Sequence, residues 1–183
     1  MNEQKTHSIE IAGVHRELPL FQIKPGLRIA VLNILGDTEL TQACAKALAG
    51  MLKDREYDVL VTAEAKSIPL AYALSVETGK PYIIFRKSYK PYMGDALKAE
   101  TLSITTGAPQ TLYLDAKDRS LIQGKKVMIV DDVISTGSTL QGMRMIIEKA
   151  GASVAGETAI LTEGERAKWA NVISLGHLPL FTD

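Results

Sequence analysis

The chain has 183 residues, 46% of them hydrophobic and 23% charged, which suits one folded domain with a real core and excludes a disordered segment. Lys plus Arg and Asp plus Glu each number 21, so the formal net charge is zero and the basic surface that nucleic-acid binding demands is not expected. The polar start MNEQKTHSIE lacks a signal-like apolar run, no stretch approaches the roughly 18 apolar residues of a membrane span, and the lone Cys44 can form no internal disulfide, so a reducing cytoplasm is the expected setting.

In chain order, residues 8–36 mix apolar positions with turn signals such as Lys24-Pro25-Gly26, and strand boundaries there are hard to place. Residues 38–53 carry Leu40, Cys44, Ala47, Leu48 and Met51 at helical spacing behind Asp37 or Thr38 as a cap, with Cys44 read as a core position. YDVLVTAE (57–64) is an apolar run of the type buried in a parallel sheet, SIPLAYALSVET (67–78) a helix with Pro69 in its first turn, and PYIIFRKS (81–88) a second strand. A second β-α-β unit starts at Lys125: strand VMIV, a helix with Leu140, Met143, Ile146 and Ile147 on one face, and strand 153–163. The fold class is therefore α/β, an open parallel sheet with helices on both faces, in a single domain over 1–183. Its ligand belongs outside the carboxyl ends of the strands, where the two β-α turns share one crevice. Residues 88–124 between the units are too long for an ordinary connection. They read as a hairpin around Thr106-Gly107 preceded by a flap, SYKPYMGDALK, and make a candidate lid.

The second β-α turn is VMIVDDVISTGST, residues 127–139. Ser135-Thr136-Gly137-Ser138-Thr139 places small and hydroxyl residues where helix N-terminal amides are unpaired, a pocket for one phosphate, although a plain Ser/Thr helix cap has the same composition. Asp131 and Asp132 end a buried strand, where carboxylates need donors, and a ribose 2′,3′-diol offers two. Neither G-x-x-x-x-G-K-[ST] nor G-x-G-x-x-G is present, which argues against a polyphosphate at this loop. The first turn, Glu64-Ala65-Lys66-Ser67, can bind a second anion through amides and Lys66. Arg86, Lys87 and Lys90 gather at the end of the next strand as a diphosphate clamp, against the plainer alternative of a solvated basic turn. A 5-phosphate, a diol and a diphosphate together describe phosphoribosyl diphosphate.

VMIVDDVISTGST resembles the thirteen-residue signature of the type I phosphoribosyltransferases, and Glu64–Ser67 with Arg86-Lys87 resembles the diphosphate loop of the adenine branch; the likeness covers residues 57–163. It implies that Asp131 and Asp132 address the ribose hydroxyls, that Ser135, Thr136, Gly137, Ser138 and Thr139 hold the 5-phosphate, and that Ala65, Lys66, Arg86, Lys87 and Lys90 bind the diphosphate. Asp131, Asp132, Arg86 and Lys66 are the expected catalytic groups. Mg2+ is expected with the substrate rather than in a site built by the protein alone, and a homodimer, with residues 1–36 contributing to a hood, is also implied. The reaction implied is displacement of diphosphate by a purine ring nitrogen through an oxocarbenium-like transition state, yielding a nucleoside monophosphate for purine salvage.

The base is the open question. The lid carboxylate that adenine enzymes commonly carry is replaced by Thr105, and Leu32-Asn33 resembles a dipeptide of xanthine-using relatives, while RKSYKPYMGD is similar to the lid of archaeal hypoxanthine and guanine enzymes. Ser135 stands where the classical hypoxanthine-guanine branch has an Asp, and GHLPLF resembles adenine-type chain ends. Leu32, Asn33, Thr105 and Leu161 are the candidate base-pocket residues, with adenine favoured over the 6-oxopurines. A regulator that senses phosphoribosyl diphosphate without turnover is the alternative from a different class, and a binding subunit acting only in a complex is a third. His7, His15 and His177 have no ligand spacing, and Trp169 is expected to pack against the carboxyl-terminal tail, with base stacking the other option. Tyr89 and Tyr92 fall in the flap, with either substrate or solvent before them.

Overall fold

The computed structural model describes residues 5–102 and 109–182. It opens with three antiparallel strands, β1 (Thr6–Ile11), β2 (Val14–Lys24) and β3 (Leu27–Ala30), joined by tight turns. Helix α1 (Thr38–Leu52) follows, capped by Asp37 Oδ1, which accepts the Leu40 N–H at 3.1 Å. Its Leu40, Cys44, Leu48 and Leu52 recur at helical spacing and are each no more than 1% exposed. Strand β4 (Val59–Ala63), helix α2 (Ile68–Thr78) and strand β5 (Tyr82–Phe85) form the first β-α-β unit. Strands β6 (Leu97–Leu102) and β7 (Pro109–Leu114) pair as an antiparallel hairpin, and the short helix α3 (Arg119–Ile122) leads out of it. The second unit is β8 (Lys126–Ile134), α4 (Ser138–Lys149) and β9 (Ser153–Glu163), with β10 (Ile173–Leu178) added parallel to β9. The last strand, β11 (Phe181–Thr182), pairs antiparallel with β3 and so joins the amino-terminal sheet.

The main sheet runs β10-β9-β8-β4-β5, parallel throughout. Alternation along its strands explains why it needs cover on both faces. Val59 and Val61 of β4 and Val127 and Ile129 of β8 pack with α4, while Leu60, Met128 and Val130 pack with α1 and α2. The open α/β architecture expected from the sequence is the one observed. Chain order reverses between β4 and β8, so the loops leaving these two strands lie side by side at the switch point.

The insertion between the units is partly core. Ala99, Leu112 and Leu114 of the hairpin are buried with Met143 and Ile146 of α4, and Met93, within the expected flap, is fully buried. A Cβ on Gly142 would stand 3.1 Å from Leu112 Cδ1, so the small residue in α4 lets the hairpin sit close. Strand β5 stops at Phe85, short of the expected end at 88, because Arg86 turns aside to exchange two backbone hydrogen bonds with Tyr113 of the hairpin, both 2.8 Å. Thr105 and the Thr106-Gly107 turn lie outside the described residues.

The amino-terminal sheet is fastened to the core by charge as well as by packing. Arg16 of β2 donates from Nε to Asp37 Oδ2 at 2.8 Å, from Nη2 to Asp37 Oδ1 at 2.9 Å and from Nη2 to Glu39 Oε2 at 2.8 Å. The fork engages the cap and the first turn of α1, where acidic groups already suit the helix dipole. Hydrogen bonding from Arg16 holds the Asp37 carboxyl below its usual value despite partial burial.

Candidate active site

One cavity of about 270 Å³ opens between the carboxyl ends of β4 and β8 and the end of β3. Ala65, Lys66, Lys87, Asp131, Asp132, Ser135 and Thr139 line it, so seven of the expected ligand-binding residues meet in one space. A smaller cup of about 40 Å³ adjoins it, formed by Ser135, Thr136, Gly137 and Thr139 above Asp131.

The cup sits on the first turn of α4, whose opening amides have no partner within the helix. Gly137 has a φ of +83°, and a Cβ there would stand 2.8 Å from Cη2 of Trp169. Glycine is thus required twice, by backbone conformation and by the indole behind it. Trp169, expected against the chain's tail, backs the loop, with its Nε1–H donating to Glu163 O at 2.9 Å. Lys168 Nζ donates to Thr136 O at 3.2 Å, a further tether on the same loop.

Asp131 and Asp132 are joined by Ser67. Its hydroxyl donates to Asp131 Oδ1 at 2.7 Å, lies 3.2 Å from Asp132 Oδ1, and accepts the Asp132 N–H at 3.2 Å. A hydroxyl carries one proton, so it satisfies one carboxylate at a time. Burial, and then the neighbouring Asp132 carboxylate, push Asp131 up to about 7. Asp132 is 6% exposed, and its Oδ2 has no hydrogen bond among the described residues although the Lys66 ammonium stands 3.2 Å away. Lys66 Nζ also donates to Leu32 O at 3.1 Å, which ties the β4–α2 loop to the chain just past β3.

The β4–α2 loop is stiffened from the other side by Glu64. Its Oε2 accepts from Arg86 Nε at 2.6 Å and its Oε1 from the Lys87 N–H at 2.5 Å. Burial opposes the charge on Glu64, but the Lys87 N–H and the Arg86 guanidinium outweigh it and leave the carboxyl below its ordinary value. The Glu64–Ala65 peptide is cis.

The remaining expected site residues fall elsewhere, Ser138 among them: it is buried, lines neither space, and its Oγ lies 3.2 Å from Thr136 Oγ1. Arg86 is committed to Glu64 and faces a separate cavity with Lys117 and Asp118, and Lys90 is exposed at the start of a short turn, its N–H donating to Met93 Sδ. Of the candidate base-pocket residues, Leu32 lines the cavity; Asn33 is exposed and folds back to accept the Leu35 N–H at 3.2 Å; Leu161 is fully buried in the core; Thr105 is outside the described residues. His177 is structural, bridging Thr162 Oγ1 at 2.9 Å and Gly164 O at 3.0 Å.

Ser67, Glu64 and Glu163 were not anticipated as site residues. Ser67 reads in sequence as a helix cap, yet its hydroxyl makes no capping bond because it is spent on the acids. Glu64 reads as part of an anion loop, where an acid looks out of place until its Arg86 partner is seen. Glu163 ends a strand with no motif around it; only its place in the cavity wall marks it.

Among the described residues no cluster of three or more His, Cys, Asp or Glu is set to hold a metal, and no helix is long and apolar enough to cross a membrane. Two adjacent carboxylates, one with an unsatisfied buried oxygen, do suit Mg2+ that keeps most of its ligands on a phosphorylated substrate.

The purine biosynthesis transcriptional repressor PurR of Bacillus subtilis is 35% identical over 144 residues, 79% of this chain and 50% of the repressor. A hypoxanthine/guanine phosphoribosyltransferase of Methanocella paludicola is 35% identical over 125 residues, 67% of this chain and 62% of that enzyme. The chain thus spans about half to three fifths of the length of these two relatives. An adenine phosphoribosyltransferase of Kosmotoga olearia is 30% identical over 149 residues, 80% of this chain and 83% of the enzyme. In fold, the adenine phosphoribosyltransferase of Giardia lamblia complexed with 9-deazaadenine superposes with a TM-score of 0.73 at 20% identity, covering 87% of this chain and 93% of that one. The model of the phosphoribosyl transferase domain matches residues 31–171, which take in the whole cavity apart from part of β3, and the chain belongs to that family.

Proposed function

We propose that this chain transfers the 5-phosphoribosyl group of phosphoribosyl diphosphate to a ring nitrogen of a purine, with adenine the favoured base, releasing diphosphate and a nucleoside 5′-monophosphate. The observation that carries the reading is the single cavity in which the Ser135–Thr139 loop, the Asp131-Asp132 pair and the Ala65-Lys66 turn all open toward one another. The loop amides and hydroxyls take the 5-phosphate. Asp131 and Asp132 accept from the ribose hydroxyls, and their negative charge favours the positive charge that develops at C1′ as its bond to the diphosphate oxygen breaks and the bond to nitrogen forms. Lys66, Lys87 and the amides of the first loop stabilise the departing diphosphate, while Arg86 acts through Glu64 to hold that loop. The proton on the attacking base nitrogen leaves to solvent or to the diphosphate; no covalent intermediate with the protein is needed. Mg2+, held by substrate oxygens with Asp131 and Asp132 beside it, would neutralise leaving-group charge.

Incubation with phosphoribosyl diphosphate, Mg2+ and, separately, adenine, hypoxanthine, guanine or xanthine, followed by mass spectrometry for the monophosphate, tests this. Adenosine monophosphate as the main product supports the adenine reading, and preference for a 6-oxopurine moves the assignment to that branch. A second reading has its own support in the likeness to the Bacillus repressor: a sensor that binds phosphoribosyl diphosphate without turnover. Saturable binding with no product from any base would favour it.

A further inference from the structure

Of the groups around the main cavity, the loops and acids above account for a ribose phosphate and a diphosphate. What remains is an apolar wall, Ile29 to Leu32 with Val133, and a single ionisable group set in it, Glu163. Glu163 is 7% exposed, and among the described residues its carboxyl has no hydrogen bond and no ion pair. Burial raises its pKa, the mark of a carboxyl lacking compensation.

The backbone that carries this group is held unusually well. Trp169 Nε1–H donates to Glu163 O at 2.9 Å, and His177 clamps the flanking residues through Thr162 Oγ1 at 2.9 Å and Gly164 O at 3.0 Å. An isolated carboxyl in an apolar wall costs stability, and a leucine would fill the place without that cost. Three hydrogen bonds thus fix the chain beneath the carboxyl and leave the carboxyl itself free for a ligand, as a recognition site requires.

We propose that Glu163 is the base-selecting residue, its carboxyl accepting a hydrogen bond from an exocyclic amino group of the purine, so that aminopurines are taken in preference to their oxo counterparts. An amino group is a donor and matches the carboxyl oxygen; a carbonyl at the same ring position is an acceptor and leaves two acceptors facing each other. The inference rests on the phosphoribosyl reading of the cavity and deepens it by naming the group that reads the base.

The test is equilibrium titration of adenosine, guanosine, inosine and xanthosine 5′-monophosphates, with ribose 5-phosphate as the base-free control, into the wild type, Glu163→Leu and Glu163→Gln. At least one amino-bearing nucleotide should bind the wild type about 10- to 100-fold more tightly than its oxo counterpart, the range of one hydrogen bond to a charged group. Glu163→Leu should erase the difference and Glu163→Gln, whose amide can turn either face to the base, should narrow it; ribose 5-phosphate should bind all three proteins alike. Equal binding of the four nucleotides by the wild type would overturn the proposal, and so would an unchanged preference in Glu163→Gln, the isosteric variant that keeps the fold if Glu163→Leu does not. Turnover measured alongside separates the two claims. Selective binding without turnover removes the enzyme reading and leaves this one, whereas turnover with base ranking unchanged in the variants does the reverse.

Discussion

At the scale of single residues, the site is organised by groups whose cost to stability makes sense only with a ligand. Asp131 is the clearest. Its folded-state pKa stands above the ordinary value of about 3.9, so its ionisation destabilises the fold; that penalty is absent below about pH 4, grows as pH rises and is complete above about 7. Asp131→Asn should therefore melt higher than the wild type at pH 8, a gain of about 1 kcal/mol appearing as about 2–4 °C, and the two should converge near pH 4. The same variant should lose about 10²-fold or more in turnover if the carboxylate serves the ribose. Lys66→Ala should likewise cut turnover far more than stability, since Lys66 is half exposed and its bond to Leu32 O is replaceable by water. Parallel losses of melting temperature and activity in both variants would count against these roles. The residue scale is also where sequence reading succeeded unevenly. The acids and the hydroxyl loop announce themselves because they are contiguous, whereas Ser67, Glu64 and Glu163 act through partners 64, 22 and 6 or more positions away and carry no local pattern.

At the scale of elements, apolar periodicity was enough to find α1, α2, α4 and the strands between them, because each is covered on a defined face. It failed where pairing rather than burial decides. Strand β10 mixes Ser174, Gly176 and His177 with apolar residues at a sheet edge, and β2 runs for 11 residues whose second half is mostly exposed, so neither offers a clean alternation. The insertion read as a lid is more than that. Its hairpin supplies Ala99, Leu112 and Leu114 to the core beneath α4, so Leu112→Ala should cost about 2–5 kcal/mol, measured by denaturant unfolding, while a true lid residue would cost little. The Arg16 fork makes a different prediction for the amino-terminal sheet. Because Asp37 is held below its unfolded value, the stabilisation from this pair is present at neutral pH and disappears as pH falls through the folded value. Arg16→Ala should thus lower the melting temperature at pH 7, and the difference should shrink as acid protonates Asp37.

For the whole molecule, two sheets meet over one crevice, and the connection between them runs through the site itself. Lys66 reaches Leu32 O from the loop after β4, and Arg16 reaches the start of α1 from β2, so two polar links join the amino-terminal part of the chain to the rest of the fold. Family membership could be read from thirteen contiguous residues, because a phosphate loop needs glycine, hydroxyls and a helix start in fixed sequence. The base could not, because the wall proposed to receive it is drawn from β3, β8 and β9, which are distant in the chain and each unremarkable alone.

We take the Gly137 loop and the acid pair together to form a phosphoribosyl diphosphate site. Calorimetric titration of phosphoribosyl diphosphate with Mg2+ into the wild type and Gly137→Ala tests it most directly, because the added methyl meets Trp169 and disfavours the left-handed backbone at one point of the cradle. The wild type should show a single saturable site, and a Gly137→Ala protein that still folds should bind about 10²-fold or more weakly. Equal affinity in the two proteins, or no binding by the wild type, would contradict it.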